Sequence, residues 1–307
     1  MILSAGLTPA WQQVLLFHGF RYREVNRAEE VHWHAQGKVI NAGIAAHRLG
    51  GPSLTLAPLG GPPVEPINRE LDELGVPHRW IATLAATRVC TTILDRATGE
   101  MTELVENGLA LTAEELDEFR RVYGEEAARA SVVVLTGSLP TGTPNTYYRE
   151  LVERTPCPAV LDFRGPGLLG VLDCQPLVVK PNRDELGQTI GRPLTDERQL
   201  LDAMRSLNAR GAQWVVVTQG AGPVWLTSAS KTYRLEPPKA EKIVNPIGSG
   251  DAMAAAIAWA VRDRRSMVEA IQIGIAAAGE NLAQLETGRL DPLRVLERAK
   301  TVAVEGA

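Results

Sequence analysis

The sequence predicts an α/β fold in which a central, mostly parallel sheet is covered by helices on both faces, with a small strand-rich flap attached. Short runs rich in Val, Leu and Ile alternate with longer stretches whose apolar residues recur at helical spacing. That alternation is the signature of parallel strands joined by crossover helices. The run Val132-Val-Val-Leu-Thr136 is apolar at successive positions, as a strand buried on both faces must be. No repeat, low-complexity tract or linker interrupts the 307 residues, so a single domain over 1–307 is expected.

Residues 1–7 read as a first buried strand, broken by Thr8-Pro9. Residues 11–34 have no helical period; β-compatible pieces at 14–17 and 30–34 flank a polar middle at 21–29, which makes a flap. Residues 37–50 are apolar at helical spacing and stop at Gly50-Gly51. A strand at 53–58, a helix at 65–74 closed by Gly75, and a short strand at 78–81 continue the rhythm. Residues 87–94 and 101–106 alternate like a hairpin around a glycine turn and are expected to join the flap. A helix at 113–130 leads into the strand 132–136, and the alternation goes on through 146–153, 159–163, 177–179, 198–209 and 214–218. Short strands at 224–227 and 231–235 follow, and from 251 to the end the pattern is helical, with breaks near Arg264 and Thr287-Gly288. In such sheets ligands collect beyond the C-terminal ends of the strands. The loops at Thr8, Gly137, Lys180 and Gly220 should therefore converge there.

Composition narrows the function classes. A formal net charge of -4 and a pI near 5.8 disfavour nucleic acid and anionic membrane as partners, leaving room only for a local basic pocket. Cys90, Cys157 and Cys174 include no C-x-x-C pair, which points to reduced thiols and a cytoplasmic location. The first residues lack the basic segment of a secretory signal. The longest apolar stretch, 252–261, is about half the ~20 residues that a membrane helix needs. His32 and His34 share a strand face without a third ligand at metal-site spacing, so a solvated flap edge is expected.

The chemistry concentrates in Asn245-Pro-Ile-Gly-Ser-Gly-Asp251, which runs directly into the helix formers at 252–261. Gly248, Ser249 and Gly250 place backbone N–H groups at a helix N-terminus, where they form an anion hole. Asp251, in the first turn, is positioned to take a proton from a hydroxyl while those amides hold developing negative charge. The same seven residues also describe an ordinary loop capping an ordinary helix.

Several motifs, taken in order, resemble the PfkB (ribokinase-like) carbohydrate kinases, nearest the branch containing 1-phosphofructokinase and tagatose-6-phosphate kinase. They are Leu7-Thr-Pro-Ala10, Gly37-Lys38 with Asn41, Gly50, Thr87-Arg88, Thr102-Glu103 with Glu106, Gly137-Ser-Leu-Pro140, Lys180-Pro-Asn-Arg-Asp-Glu-Leu186, and Gly248-Ser-Gly-Asp251. The resemblance implies a three-layer α/β/α sandwich in which the flap, roughly 11–35 and 86–107, is a β-sheet lid. It implies phosphoryl transfer from ATP to a hydroxyl of a sugar phosphate, with Asp251 as general base and Gly248, Ser249 and Gly250 around the transferring group. Asn182 and Glu185 match the family's N-x-x-E element, associated with Mg²⁺ through water. Without the resemblance, carboxylates there only decorate a helix start.

Lys38 and Arg88 are the candidates to hold a phosphate already on the acceptor, and Arg27 is a third. The resemblance implies that Asn41, Gly37, Ser138 and Gln12 fall on the sugar side. It likewise implies that Lys180, Thr218, Gly220, Gly222 and Asn281 fall on the nucleotide side, with Ala278 and Leu282 near the adenine. A homodimer formed through the lid is expected, since an exposed strand ribbon invites pairing.

The chain departs from the family at several points. The aspartate that binds sugar hydroxyls is replaced by Gln12, beside the bulky Trp11, and Gly-Gly-Lys-Gly has become Gln36-Gly-Lys-Val39. Cys90 stands where a polar residue is common, and the loop Thr218-Gln-Gly-Ala-Gly222 is one residue short. A kinase for an unphosphorylated sugar or nucleoside, and a non-catalytic sugar- or nucleotide-binding protein, are therefore the alternatives.

Overall fold

The fold was analysed in a computed structural model that describes residues 1–240 and 242–306. Its strands are β1 (Ile2–Ala5), β2 (Ala10–Phe17), β3 (Glu30–Gln36), β4 (Ser53–Leu59), β5 (His78–Ala82), β6 (Arg88–Asp95), β7 (Met101–Val105), β8 (Val132–Thr136), β9 (Ala159–Asp162), β10 (Val178–Val179), β11 (Trp214–Val217), β12 (Val224–Thr227), β13 (Thr232–Glu236) and β14 (Ala303–Gly306). Its helices are α1 (Lys38–Arg48), α2 (Val64–Glu73), α3 (Ala113–Ala127), α4 (Tyr147–Val152), α5 (Pro166–Leu169), α6 (Arg183–Ile190), α7 (Glu197–Ala209), α8 (Ser249–Arg262), α9 (Met267–Leu282) and α10 (Pro292–Ala299).

Ten strands form one sheet in the order β14-β13-β12-β11-β10-β9-β8-β1-β4-β5. From β5 across to β11 the neighbours run parallel, and β12, β13 and β14 are added antiparallel. The period of two sorts the strand residues between two cores. Val132 and Val134 pack with Ala42, Ala45 and the alanines of α8, whereas Val133 and Leu135 pack with Phe119, Tyr123, Leu151 and Leu207. Helices α1, α8, α9 and α10 thus cover one face and α3, α4 and α7 the other, the predicted three layers. Small residues let α8 approach α9 and α1: a Cβ on Gly274 would come within 3.0 Å of Met253.

The C-terminus differs from the expectation. The helical pattern ends with α10, and 303–306 pairs with β13 at the edge of the sheet. Four exposed residues carry no readable periodicity; only the free edge of β13 makes them a strand.

The second sheet has the order β3-β2-β6-β7. The β6–β7 hairpin forms as expected, and β2 pairs antiparallel with β3 but parallel with β6. Segments distant in the chain therefore build one sheet, whose joint to the main body is Gly37. Gly37 has φ 97°, and a Cβ there would lie 2.8 Å from the Thr8 carbonyl oxygen. A side chain is excluded where β3 turns into α1.

Candidate active site

The site begins at the N-terminus of α8. Gly248 precedes the helix with φ 77°, and no side chain caps the helix end. It shares this with α1, α2, α4 and α5, whereas α3, α6, α7, α9 and α10 are each capped by a side chain. The α8 end is thus left to backbone donors, an arrangement suited to an anion. Within the first turn, Asp251 is buried, and its Oδ2 accepts a hydrogen bond from Asn41 Nδ2 at 2.8 Å. Asn41 is itself oriented by Thr287, whose Oγ1 donates to Asn41 Oδ1 at 2.6 Å. Asn281 closes the network, donating from Nδ2 to the Ile247 carbonyl and to Ser249 Oγ, and accepting the Gly288 N–H. Burial pushes the Asp251 pKa up to about 6, and Asp162 acts in the same direction, while Lys38, the Asn41 hydrogen bond and Lys180 pull against it.

Beside Asp251 lies a compact cluster of charge. Asp162, at the C-terminal end of β9, is buried with Lys180 Nζ 3.1 Å from Oδ1 and Lys38 Nζ 3.6 Å from Oδ2. Burial opposes its charge, but Lys180 and Lys38 outweigh that and hold Asp162 below the usual carboxylate range. Lys38 also lies 3.4 Å from Glu185 Oε1. Burial works against its charge as well, yet Asp162, Glu185 and Asp251 together raise its pKa well above that of an ordinary lysine. Lys180 reaches the helix end, since a Cβ on Gly250 would sit 3.4 Å from its Nζ.

Asn182 and Glu185 form a reciprocal capping box at the start of α6, with Asn182 Oδ1 accepting from the Glu185 N–H at 2.8 Å and Glu185 Oε2 accepting from the Asn182 N–H at 2.9 Å. Thr218 bridges to Asn182 in strand fashion, so the loops after β10 and β11 are adjacent. Gly220, with φ 60°, and Gly222, whose N–H bonds to the Gln219 carbonyl, shape the second loop. Ala278 and Leu282 are half-buried on α9, where the Leu282 carbonyl accepts from the Val244 N–H.

Nearly the whole chain, residues 8–292, matches the model of the pfkB family carbohydrate kinases. The chain belongs to that family. Solved structures repeat the fold. Phosphofructokinase-2 from Escherichia coli in complex with fructose-6-phosphate superposes with a TM-score of 0.85 at 23% identity, covering 98% of this chain and 99% of that one. The tetrameric inhibited form of phosphofructokinase-2 from the same organism gives 0.87 at 23%, covering 97% and 99%. A "possible 1-phosphofructokinase" from Thermotoga maritima gives 0.87 at 21%, covering 100% and 99%. At such identities the likeness establishes the ribokinase-like fold, and the family match makes the protein a sugar kinase.

The cations expected for the acceptor side are engaged within the fold. Arg88 donates to the carbonyls of Pro9, Glu106 and Thr8 at 3.4, 3.0 and 3.1 Å, and Lys38 faces two carboxylates. Ser138 is exposed, its hydroxyl 3.2 Å from that of Thr8. Gln12 is buried, donating from Nε2 to Thr92 Oγ1 at 2.8 Å. Arg27 is not gathered into the cluster: it is exposed in the β2–β3 loop and lines a separate surface cavity of about 280 Å³. Nor is His34 a solvated edge residue. His32 is half-buried beside Glu30, but His34 is buried on the face turned toward the main body.

Two residues of the site were not singled out from sequence. Asp162 ends an apolar strand at the ligand-binding edge of a parallel sheet, a position that marks it in retrospect. Thr287 carried no local signal, because its partner is 246 positions away.

Proposed function

We propose that the protein transfers the γ-phosphoryl group of ATP to a hydroxyl of a sugar phosphate, with Asp251 as general base. The observation that carries this reading is a buried carboxylate, with a pKa near 6, in the first turn of a helix whose N-terminus no side chain caps. Asp251 Oδ2 is held by Asn41, which leaves Oδ1 for the acceptor hydroxyl. As the acceptor oxygen bonds to phosphorus and the bridging oxygen of ATP leaves with the electron pair, the hydroxyl proton passes to Asp251 and the Gly248, Ser249 and Gly250 amides neutralise the transferring group. Lys180 faces the nucleotide phosphates, with Thr218, Gly220, Gly222 and Asn281 forming the nucleotide side. Gln12, Gly37, Lys38, Asn41, Arg88 and Ser138 form the acceptor side.

Asn182 and Glu185 carry oxygens of the kind Mg²⁺ prefers, and because those oxygens also serve the α6 capping box and Lys38, the ion would be held through water. When bound, the ion neutralises phosphate charge. We further infer one domain over 1–307 with the small sheet as its lid, and a homodimer formed through that sheet.

The engagement of Lys38 by Asp162 and Glu185, and of Arg88 by three carbonyls, favours a second reading in which the acceptor carries no phosphate. A coupled ADP-release screen over hexose phosphates, free hexoses and nucleosides separates the two. Asp251→Asn should lower kcat by roughly 10²–10⁴-fold, the contribution typical of general-base catalysis. Turnover that survives the substitution, or none on any acceptor, would refute the assignment.

A further inference from the structure

The small sheet turns toward the main body two polar side chains that the fold leaves without partners. His34 and Gln36 occupy successive inward positions on β3, with relative exposures of 2% and 3%. Neither ring nitrogen of His34 and neither amide atom of Gln36 has a hydrogen-bond partner among the described residues. Gln12 stands opposite His34 across the β2–β3 pair and shares the face, as its bond to Thr92 shows. Val14, Leu16 and Leu94 continue this face and pack with Leu285 from the segment after α9, which fixes its direction toward the body. Buried polar atoms without partners are a net cost to a fold. Four on neighbouring positions of one strand, each sealed from solvent, leave hydrogen-bonding capacity that a ligand entering between the small sheet and the body would meet.

The chemistry of the set limits the ligand. His34 is faced by Glu286 and Arg289 of the 286–289 segment and by His32 of its own strand, and burial pushes its pKa down to about 4. The neutral imidazole offers one donor and one acceptor, and the Gln36 amide offers both. Hydroxyl groups, which donate and accept at once, are their complement; an anion is not. Their place fits the acceptor. Gln36 directly precedes Gly37, the N-cap of α1, and the first turn of that helix carries Asn41, the partner of Asp251.

We propose that His34 and Gln36 bind the hydroxyl-bearing, uncharged face of the sugar acceptor and set its specificity through neutral hydrogen bonds. The proposal rests on the phosphoryl-transfer reading above and adds two specificity-determining residues to it.

The test uses the full-length protein and the near-isosteric variants His34→Phe and Gln36→Leu, so that space stays filled when the polar atoms go. Binding of D-fructose and fructose 6-phosphate is measured by calorimetry without nucleotide, alongside Tm and the KM for ATP. Each variant should weaken sugar binding about tenfold, the equivalent of ~1.4 kcal/mol. The KM for ATP should be unchanged, and Tm equal or higher, because orphaned polar atoms have been removed. Sugar binding that is unchanged in both variants, wild-type protein that binds neither sugar, or a loss of binding that appears only with a lowered Tm would overturn the proposal. Asp251→Asn separates the two readings: if it keeps sugar binding while turnover persists, the assignment of Asp251 as general base fails and the role of His34 and Gln36 stands.

Discussion

Asp251 concentrates two opposing demands on one carboxylate. As the proposed general base it must lose its proton before it can accept another, and with a pKa near 6 activity should fall as pH drops through about 6. A kcat/KM profile flat from pH 5 to pH 8 would contradict this. Stability runs the other way. The folded pKa lies above the ordinary 3.8, so between about pH 4 and 6 the folded state keeps a proton that the unfolded state has lost. Stability from this group is therefore full below about pH 4 and is lost as pH rises through about 6. Asp251→Asn, which mimics the protonated form, should raise Tm by about 2–4 °C at pH 8 for each kcal/mol relieved, and much less at pH 4. Thermal unfolding at both pH values checks the sign. The carboxylate and its three preceding residues were legible in sequence because they are contiguous. Asp162 and Thr287 were not, because each acquires its role from partners brought in by other strands and loops.

At the scale of elements, α8 is the part whose ends matter most. Its N-terminus depends on Gly248, where φ is 77° and a Cβ would fall 2.8 Å from Thr287 Cγ2. Gly248→Ala should destabilise by more than ~1 kcal/mol, from left-handed strain plus the clash. It should also lower kcat by displacing Thr287, and through it Asn41 and Asp251. Denaturant unfolding with parallel kinetics tests this; full stability with full activity would show that the helix end tolerates a side chain. The helices were readable from their spacing. The edge strand β14 was not, since hydrogen bonding to β13 alone defines it.

For the whole molecule, the small sheet has two faces with different tasks. One carries Gln12, His34 and Gln36 toward the body. The other shows Trp11 and Trp33 stacked at 6.0 Å, with Val31 and Leu104 each at least half exposed. Such an apolar face on a sheet with open edges fits a second copy of the chain. Trp33→Glu should convert a dimer into a monomer in sedimentation analysis, with the ADP-release rate per chain reporting whether the lid needs its partner. A wild-type monomer at micromolar concentration would dismiss the interface. Among the described residues no helix is long and apolar enough to cross a membrane.

What the sequence determined by itself was whatever is local or periodic: the alternation of strands and helices, the glycine-rich entry to α8, the capping element at Asn182 and Glu185, and the order of motifs that places the chain among the carbohydrate kinases. The tertiary structure decided which charges meet. Sequence makes Lys38 and Arg88 the candidates to hold an acceptor phosphate, and folding adds that Lys38 lies between Asp162 and Glu185 while Arg88 donates to carbonyls. It also buried His34 and Gln36 without side-chain partners among the described residues. Those outcomes depend on distances between residues far apart in the chain, and no one-dimensional pattern encodes them.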